Sequence, residues 1–149
     1  MIWEGGRMIL RPFPIFNLLF SDTMFTPEER STFPYWFAHW CAFNMTALNL
    51  RCWKFRFLFH DIFKPWLRLF LPYKKVQTIH RTHSRHHAEY KGRRYDWLGM
   101  VIDWECSLYT KSVATLNARQ KMEAYKEVNP EFYAKMKPNM EPILQKLGL

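Results

Sequence analysis

Cysteine is scarce in this chain, and its placement excludes the frameworks cysteines usually build. Cys41, Cys52 and Cys106 are an odd number and form no Cys-x-x-Cys pair, so neither a disulfide scaffold nor a thiolate zinc knuckle is expected, and a reducing compartment is the simplest setting. Long hydrophobic runs are lacking too. Residues 35–50 (YWFAHWCAFNMTALNL) hold no Lys, Arg, Asp or Glu, but they include His39, Asn44 and Asn49 and fall short of the roughly 18 apolar residues a bilayer span requires. They read as a buried core helix. The apolar stretch Ile9 to Phe20 is broken by Arg11, Pro12 and Pro14 and has no small-residue cleavage site, so no secretory signal is expected. A mitochondrial presequence is not indicated either. These absences suggest an intracellular protein, cytoplasmic or mitochondrial, that is not transmembrane. Internal repeats and low-complexity tracts are also missing.

Acidic residues are nearly absent from one region. Between Arg51 and Arg94 there are twelve Lys or Arg against only Asp61 and Glu89, while the rest of the chain holds ten basic and eleven acidic residues. The net charge of +9 is therefore a local feature. Such a field concentrates phosphorylated ligands, and it equally suits contact with RNA, an anionic lipid surface or neighbouring protein subunits.

What is present fits a globular chain. At 149 residues with 48% hydrophobic and 18% aromatic content, the protein is long enough for one core and too short for two. Seven Trp and 13 Phe are more than so small a core can hide, which leaves some as contact surface for a partner chain or a membrane face. Residues 1–34 read as an irregular aromatic-rich arm ending in a short helix that Thr26-Pro27-Glu28-Glu29 starts. A helical domain spans 35–128, with helices from Pro34 to about Leu50, over 51–70, from Lys75 to Tyr90, from Tyr95 to Tyr109, and from Asn117 to Val128. Lys91 to Arg94 form a loop. Asn117 with Gln120 resembles a capping box. Residues 129–149 form a C-terminal extension, with one short helix capped at Asn129-Pro130-Glu131 and a last turn from Pro142 to Leu147. The fold class expected is all-α.

The chemistry-bearing residues cluster. All six histidines lie between His39 and His87, a His60-Asp61 doublet stands among them, and Asp103 follows. Imidazole and carboxylate are the usual ligands of zinc, iron and manganese. If the helices of His39, His60-Asp61 and Asp103 pack together, these side chains converge on one or two divalent ions, which lower the pKa of bound water and supply hydroxide. On a helix, His60 and Asp61 diverge by about 100°, so the ion is expected in the cleft between them. Lys64 follows one turn later and is placed to neutralise a phosphate oxygen. His80, His83 and His87, spaced i, i+3, i+7, share a helix face, and two of the four histidines from His80 to His87 are expected to face the site.

Blander roles exist beside these. His39 suits a hydrogen-bonded core position, His60-Asp61 a surface ion pair with an Arg, and Asp103 a partner for Arg94 or a histidine. Glu105 is expected to point elsewhere, and Asp96 is explained by the helix dipole. The Trp and Phe residues are core or interface and not a cofactor box.

The order His39, His60-Asp61, Asp103, with His60-Asp61-Ile62-Phe63-Lys64 looking like an HDxxK segment, resembles the HD-domain superfamily of helical metal-dependent phosphohydrolases. The run from His80 to Tyr90, followed by Met100 to Trp104, is similar to an HD-like branch common in phages and bacteria. The resemblance covers roughly residues 35–125. It implies an HD-like bundle that binds iron, manganese or zinc, one or two ions, through His39, His60, Asp61 and Asp103. A second ion would be held by His80 and by His86 or His87, and Lys64 and Asp61 would take catalytic roles. It implies hydrolysis of a phosphorylated small molecule or nucleotide, or in some members oxygenation. Phe63 stands where many relatives have Gly or Ser, so its ring is expected to narrow or close the cleft. The rival expectation is a non-catalytic HD-like structural subunit of a large assembly, such as a mitochondrial respiratory complex or ribosome. The basic segment and the aromatic termini favour it.

Overall fold

The structure, a computed structural model, describes residues 2–4, 7–9, 25–26, 29–111 and 116–149. Among the described residues it is all-α apart from a two-stranded antiparallel sheet near the N-terminus. Six α-helices follow in order among the described residues: α1 (Phe33–Asn49), α2 (Phe63–Arg68), α3 (Tyr73–His83), α4 (Trp97–Thr110), α5 (Ala118–Val128) and α6 (Pro130–Leu147). The N-terminal arm, expected to be irregular, contains antiparallel strands β1 (Ile2–Glu4) and β2 (Arg7–Ile9), with Trp3 opposite Met8. Residues 10–24 of that arm lie outside the described residues. So do Pro27 and Glu28 of the expected helix start. Thr26 and Glu29 do exchange capping bonds, Thr26 N to Glu29 Oε2 at 2.8 Å and Glu29 N to Thr26 Oγ1 at 3.4 Å, but they introduce a 3-10 turn over Glu29–Ser31.

Helix α4 is the axis of the molecule. From Gly99 to Ser107 every residue is buried, as expected of a helix covered on all sides. One face meets α1 through Ala42, Phe43, Ala47, Ile102 and Cys106, with Phe57 closing the cluster. The other carries Met100, Val101 and Trp104 into a second core with Ala118 and Met122 of α5 and Phe132, Met136, Met140 and Leu144 of α6. Asp96 caps α4 with its side chain, accepting from Gly99 N at 3.0 Å, so its role is a specific hydrogen bond added to the dipole. The Asn117–Gln120 capping box forms as expected.

Two expected helices differ. Residues 51–70 do not form one helix: Arg51 turns the chain with φ 54°, Phe55–Phe59 make a 3-10 turn, Asp61 has φ 58°, and only Phe63–Arg68 are α-helical. The cause lies on α1. Its side chains Trp36, Trp40 and Asn44, spaced four apart, donate to the carbonyls of Asp61 (2.8 Å), Leu58 (2.9 Å) and Phe57 (3.2 Å), and so satisfy backbone acceptors that a helix would otherwise satisfy internally. The expected helix to Tyr90 stops at His83, and residues 84–96 form a loop fastened by Asp96 N to Arg85 O (2.8 Å) and Arg85 Nε to Arg94 O (2.7 Å).

The C-terminal extension is one 18-residue helix and not two short pieces. A proline inside a helix removes a hydrogen bond and costs about 3 kcal/mol. Pro138 and Pro142 both lie on the exposed face, while Phe132, Met136, Met140 and Leu144, also four apart, bury the opposite face against α4 and α5. Both prolines stand on the solvent side, and the buried stripe holds the helix through them.

Candidate metal centre

Helix α1 presents His39 one turn after Tyr35 and one turn before Phe43. Tyr35 stacks on the His39 ring at 5.9 Å, and Phe43 stacks on His60 at 3.6 Å with the planes 10° apart. Both imidazoles are thus fixed by aromatic faces. Asp61 and His60 lie on the tight turn after the 3-10 segment, not on a helix. The left-handed backbone at Asp61, unusual for a residue with a Cβ, together with the Trp36 bond to its carbonyl, lets neighbouring side chains reach one centre. The helical argument that they must diverge therefore does not apply.

The side chains converge closely. His39 Nε2 lies 3.0 Å from Asp103 Oδ1 and 3.4 Å from His60 Nε2. Asp61 Oδ2 lies 3.7 Å from His39 Nε2 and 3.6 Å from His60 Nε2, and accepts from Lys64 Nζ. The other oxygen, Asp61 Oδ1, faces a second group: His80 Nε2 at 2.9 Å and His86 Nε2 at 3.5 Å, with His87 Nε2 2.8 Å from His80 Nε2. His39, His60, Asp61 and Asp103 are each less than a tenth exposed. Three of the four histidines from His80 to His87 reach the site, one more than expected. His83 is exposed, bonded to Thr82 and the Ile79 carbonyl. His86 and His87 arrive through the loop and not through a shared helix face.

All seven expected ligand residues therefore meet, and the spacing suits cations. Ligand atoms about 2.1 Å from an ion stand about 3.4 Å apart in a tetrahedron and about 3.0 Å apart at adjacent octahedral positions. The separations above run from 2.8 to 3.7 Å. Two buried polar atoms add an independent sign: Asp61 Oδ1 and His86 Nε2 have no hydrogen-bond partner. His80 Nε2 is the imidazole nitrogen nearest to Asp61 Oδ1, at 2.9 Å. Orphaned polar atoms at this depth are rare, and an ion held between the two groups would satisfy both. Groups of three that can hold an ion include His39–His60–Asp61, His60–His86–Asp103 and His80–His86–His87.

The electrostatics of most of these side chains suit binding of a metal. Burial pushes the His60 imidazole down to about 4 and His87 to about 2, and lowers His80 against the pull of Asp61. Neutral imidazoles with free lone pairs are what a metal needs. Burial opposes ionisation of Asp61, but His60, Lys64 and His80 outweigh it and hold the carboxyl well below its usual range; His39 and His60 do the same for Asp103. Burial also lowers His86, but its contacts with Asp61 prevail and raise it.

Asp103 pairs with His39 and His60, not with Arg94. Glu105 does point away, accepting the Ala118 backbone N–H at 2.7 Å at the start of α5. The Phe63 ring, expected to narrow the cleft, is 73% exposed and does not line it. The cleft itself, about 190 Å³, has His39 and Asp61 in its wall with Lys64, Arg30, Arg68, Trp36 and Tyr73. Sequence reasoning missed Arg30, whose Nε is buried without a partner, and the supports Tyr35, Trp36 and Phe43. The four-residue spacing of Tyr35, His39 and Phe43 was the available signal. It also missed Cys106, whose Sγ lies 3.7 Å from His39 Nδ1. Burial, reinforced by Asp103, keeps that thiol protonated, so it is a support and not a thiolate ligand.

No family model matches this chain, and no curated protein and no solved structure matches it.

Proposed function

We propose that this chain is a metal-dependent phosphohydrolase of the HD type, acting on a phosphorylated small molecule or nucleotide. The observation that carries the reading is Asp61, whose two oxygens face two separate sets of imidazoles while its side chain also lines a cleft with three cations, Arg30, Lys64 and Arg68. His39, His60, Asp61 and Asp103 would hold one iron, manganese or zinc ion, and His80, His86 and His87 with the other Asp61 oxygen a second. A divalent ion there supplies Lewis acidity and a bound water of lowered pKa. The chain does the rest. Arg30 and Arg68 hold the phosphoryl group at the cleft wall, and Lys64 is positioned by Asp61 to stabilise charge that develops on its oxygens. Trp36, Tyr35 and Tyr73 exclude water from the far side, which strengthens each of these interactions.

Elemental analysis of the purified protein tests this first. The expected result is a stoichiometric transition metal, lost in His60→Ala and Asp61→Ala, with phosphate release from nucleotides or generic phosphoesters that falls with it. The reading fails if the loaded protein is inert across such a screen, or if the two substitutions leave the metal content unchanged. The second reading, a non-catalytic HD-like subunit of a large assembly, draws on the exposed aromatic side chains of the basic segment. It predicts a metal-free chain that stays folded and inert toward phosphoesters.

A further inference from the structure

Beside the cleft lies a face that the proposed reaction does not use. Phe63, Trp66 and Phe70, spaced i, i+3, i+7, run along α2 and the turn after it, and with Leu69 they are 65–81% exposed. Leu69 also lines the cleft, as does Phe33, itself 62% exposed. The cleft therefore opens within an apolar rim. Large exposed apolar groups set close together mark a contact surface.

Charge and composition say what kind. Residues 51–75 contain seven Lys or Arg and one acid, Asp61, which is buried and paired with Lys64. The surface around the aromatic groups is thus cationic, with Lys74 and Lys75 exposed at the start of α3. A second copy would bring like charges together, which opposes self-association. Nucleic-acid surfaces use Ser, Thr, Asn and Gln alongside Lys and Arg to bond phosphate and sugar oxygens, and residues 51–72 contain none of the four. Aromatic and leucine side chains interleaved with cations are instead the composition of a protein face at the headgroup level of a bilayer. Among the described residues no helix is long and apolar enough to cross a membrane, so contact is lateral.

We propose that this face docks on the surface of an anionic bilayer, with Trp66 and Phe70 seated among the headgroups, Lys74 and Lys75 on acidic lipid, and the cleft mouth turned toward the membrane. The claim is independent of the phosphohydrolase reading, since binding is read without metal or turnover. Flotation with vesicles tests it on the full chain. The protein is expected to float with equimolar phosphatidylcholine and phosphatidylserine vesicles and to stay behind with phosphatidylcholine alone. Each cation near such a surface contributes about 1 kcal/mol, or about fivefold in partitioning, so Lys74→Glu with Lys75→Glu lowers binding by at least about tenfold, and raised salt does the same. Trp66→Ala with Phe70→Ala lowers it comparably while thermal unfolding is unchanged, because both side chains are exposed. Equal binding to both vesicle types, or binding untouched by the aromatic pair, overturns the proposal. So does failure to float accompanied by a gel shift with RNA or by a stable dimer in sedimentation.

Discussion

The two sides of α4 are built on opposite principles. Toward α5 and α6 it buries an almost wholly apolar cluster, with Met122, Met136, Met140 and Leu144 fully enclosed. Toward α1 and the 55–61 turn it buries Asp103 beside Asp61, His39 and His60, next to the smaller apolar cluster of Phe43, Phe57 and Ile102. Apolar burial stabilises at about 25 cal/mol per Å², whereas enclosed charge is costly unless paired, and replacing such groups by packed hydrophobes is often neutral or stabilising. The apolar side holds the fold. The polar side draws on that stability to keep candidate ligands dehydrated and close, which is the usual relation between a scaffold and a site.

Substitutions on either side separate the two roles. Asp61→Ala removes the carboxylate that serves both imidazole groups, and metal affinity should fall by more than about a hundredfold, beyond the loss caused by removing an outer partner; competition with a chromophoric chelator measures it. Met136→Ala opens a cavity in the opposite core and should cost about 2–5 kcal/mol in denaturant unfolding, with metal stoichiometry unchanged. If Met136→Ala also empties the site, the two halves are one cooperative unit and the comparison breaks.

At about pH 5 to 6, acid should act chiefly through the imidazoles of the polar side. His60 has its folded value lowered to about 4 against an ordinary value near 6.5, so between these pH values the unfolded chain binds more protons. Stability is then fully present above about 6.5 and is lost as pH falls toward 4. His80 and His87, also lowered, act in the same direction; His86, raised, acts oppositely, its contribution fading as pH rises through its folded value. Melting temperatures of the metal-free protein should therefore drop through this window, and His60→Asn should flatten the drop. A flat profile in the parent protein would mean that these imidazoles are not buried neutral.

The apolar side was the more legible of the two in sequence. The capping box at Asn117 and the apolar run before Tyr109 place α5 and α4 within a residue or two, because those signals are local. Helix α6 is expected as a short helix and a last turn from Pro142, since sequence shows a proline and not the side it faces, but it is one helix. On the polar side, residue identities were legible and their geometry was not. His39, His60, Asp61 and Asp103 do meet, but by way of a non-helical turn that alternating apolar and basic residues could not reveal. That turn exists because Trp36, Trp40 and Asn44 reach it from another element, and side-chain bonds between distant segments leave no periodicity. The same limit applies to His86 and His87, which a loop delivers.

Trp36 offers a finer probe of how the polar side is held. Phenylalanine at this position keeps an aromatic ring against the cleft and removes the indole N–H that binds the Asp61 carbonyl, together with part of the ring. The loss of a single hydrogen bond is worth about 1 kcal/mol, and since it fixes the backbone of a ligand, Trp36→Phe should weaken metal binding about tenfold while the melting temperature of the apolar core barely moves.

The smallest effect is expected where the basic segment meets the start of α4. Arg56 reaches Asp96 at 2.8 Å, but the guanidinium is nearly half exposed and solvent screens it, so Arg56→Ala should cost under about 0.5 kcal/mol. Asp96→Ala removes the same ion pair together with the cap on Gly99 N, and should cost about 1 kcal/mol. The difference between the two in urea unfolding isolates the cap. Were Arg56→Ala the more damaging, the ion pair would be holding the 3-10 turn in place, and the polar side would depend on surface charge as well as on the bonds from α1.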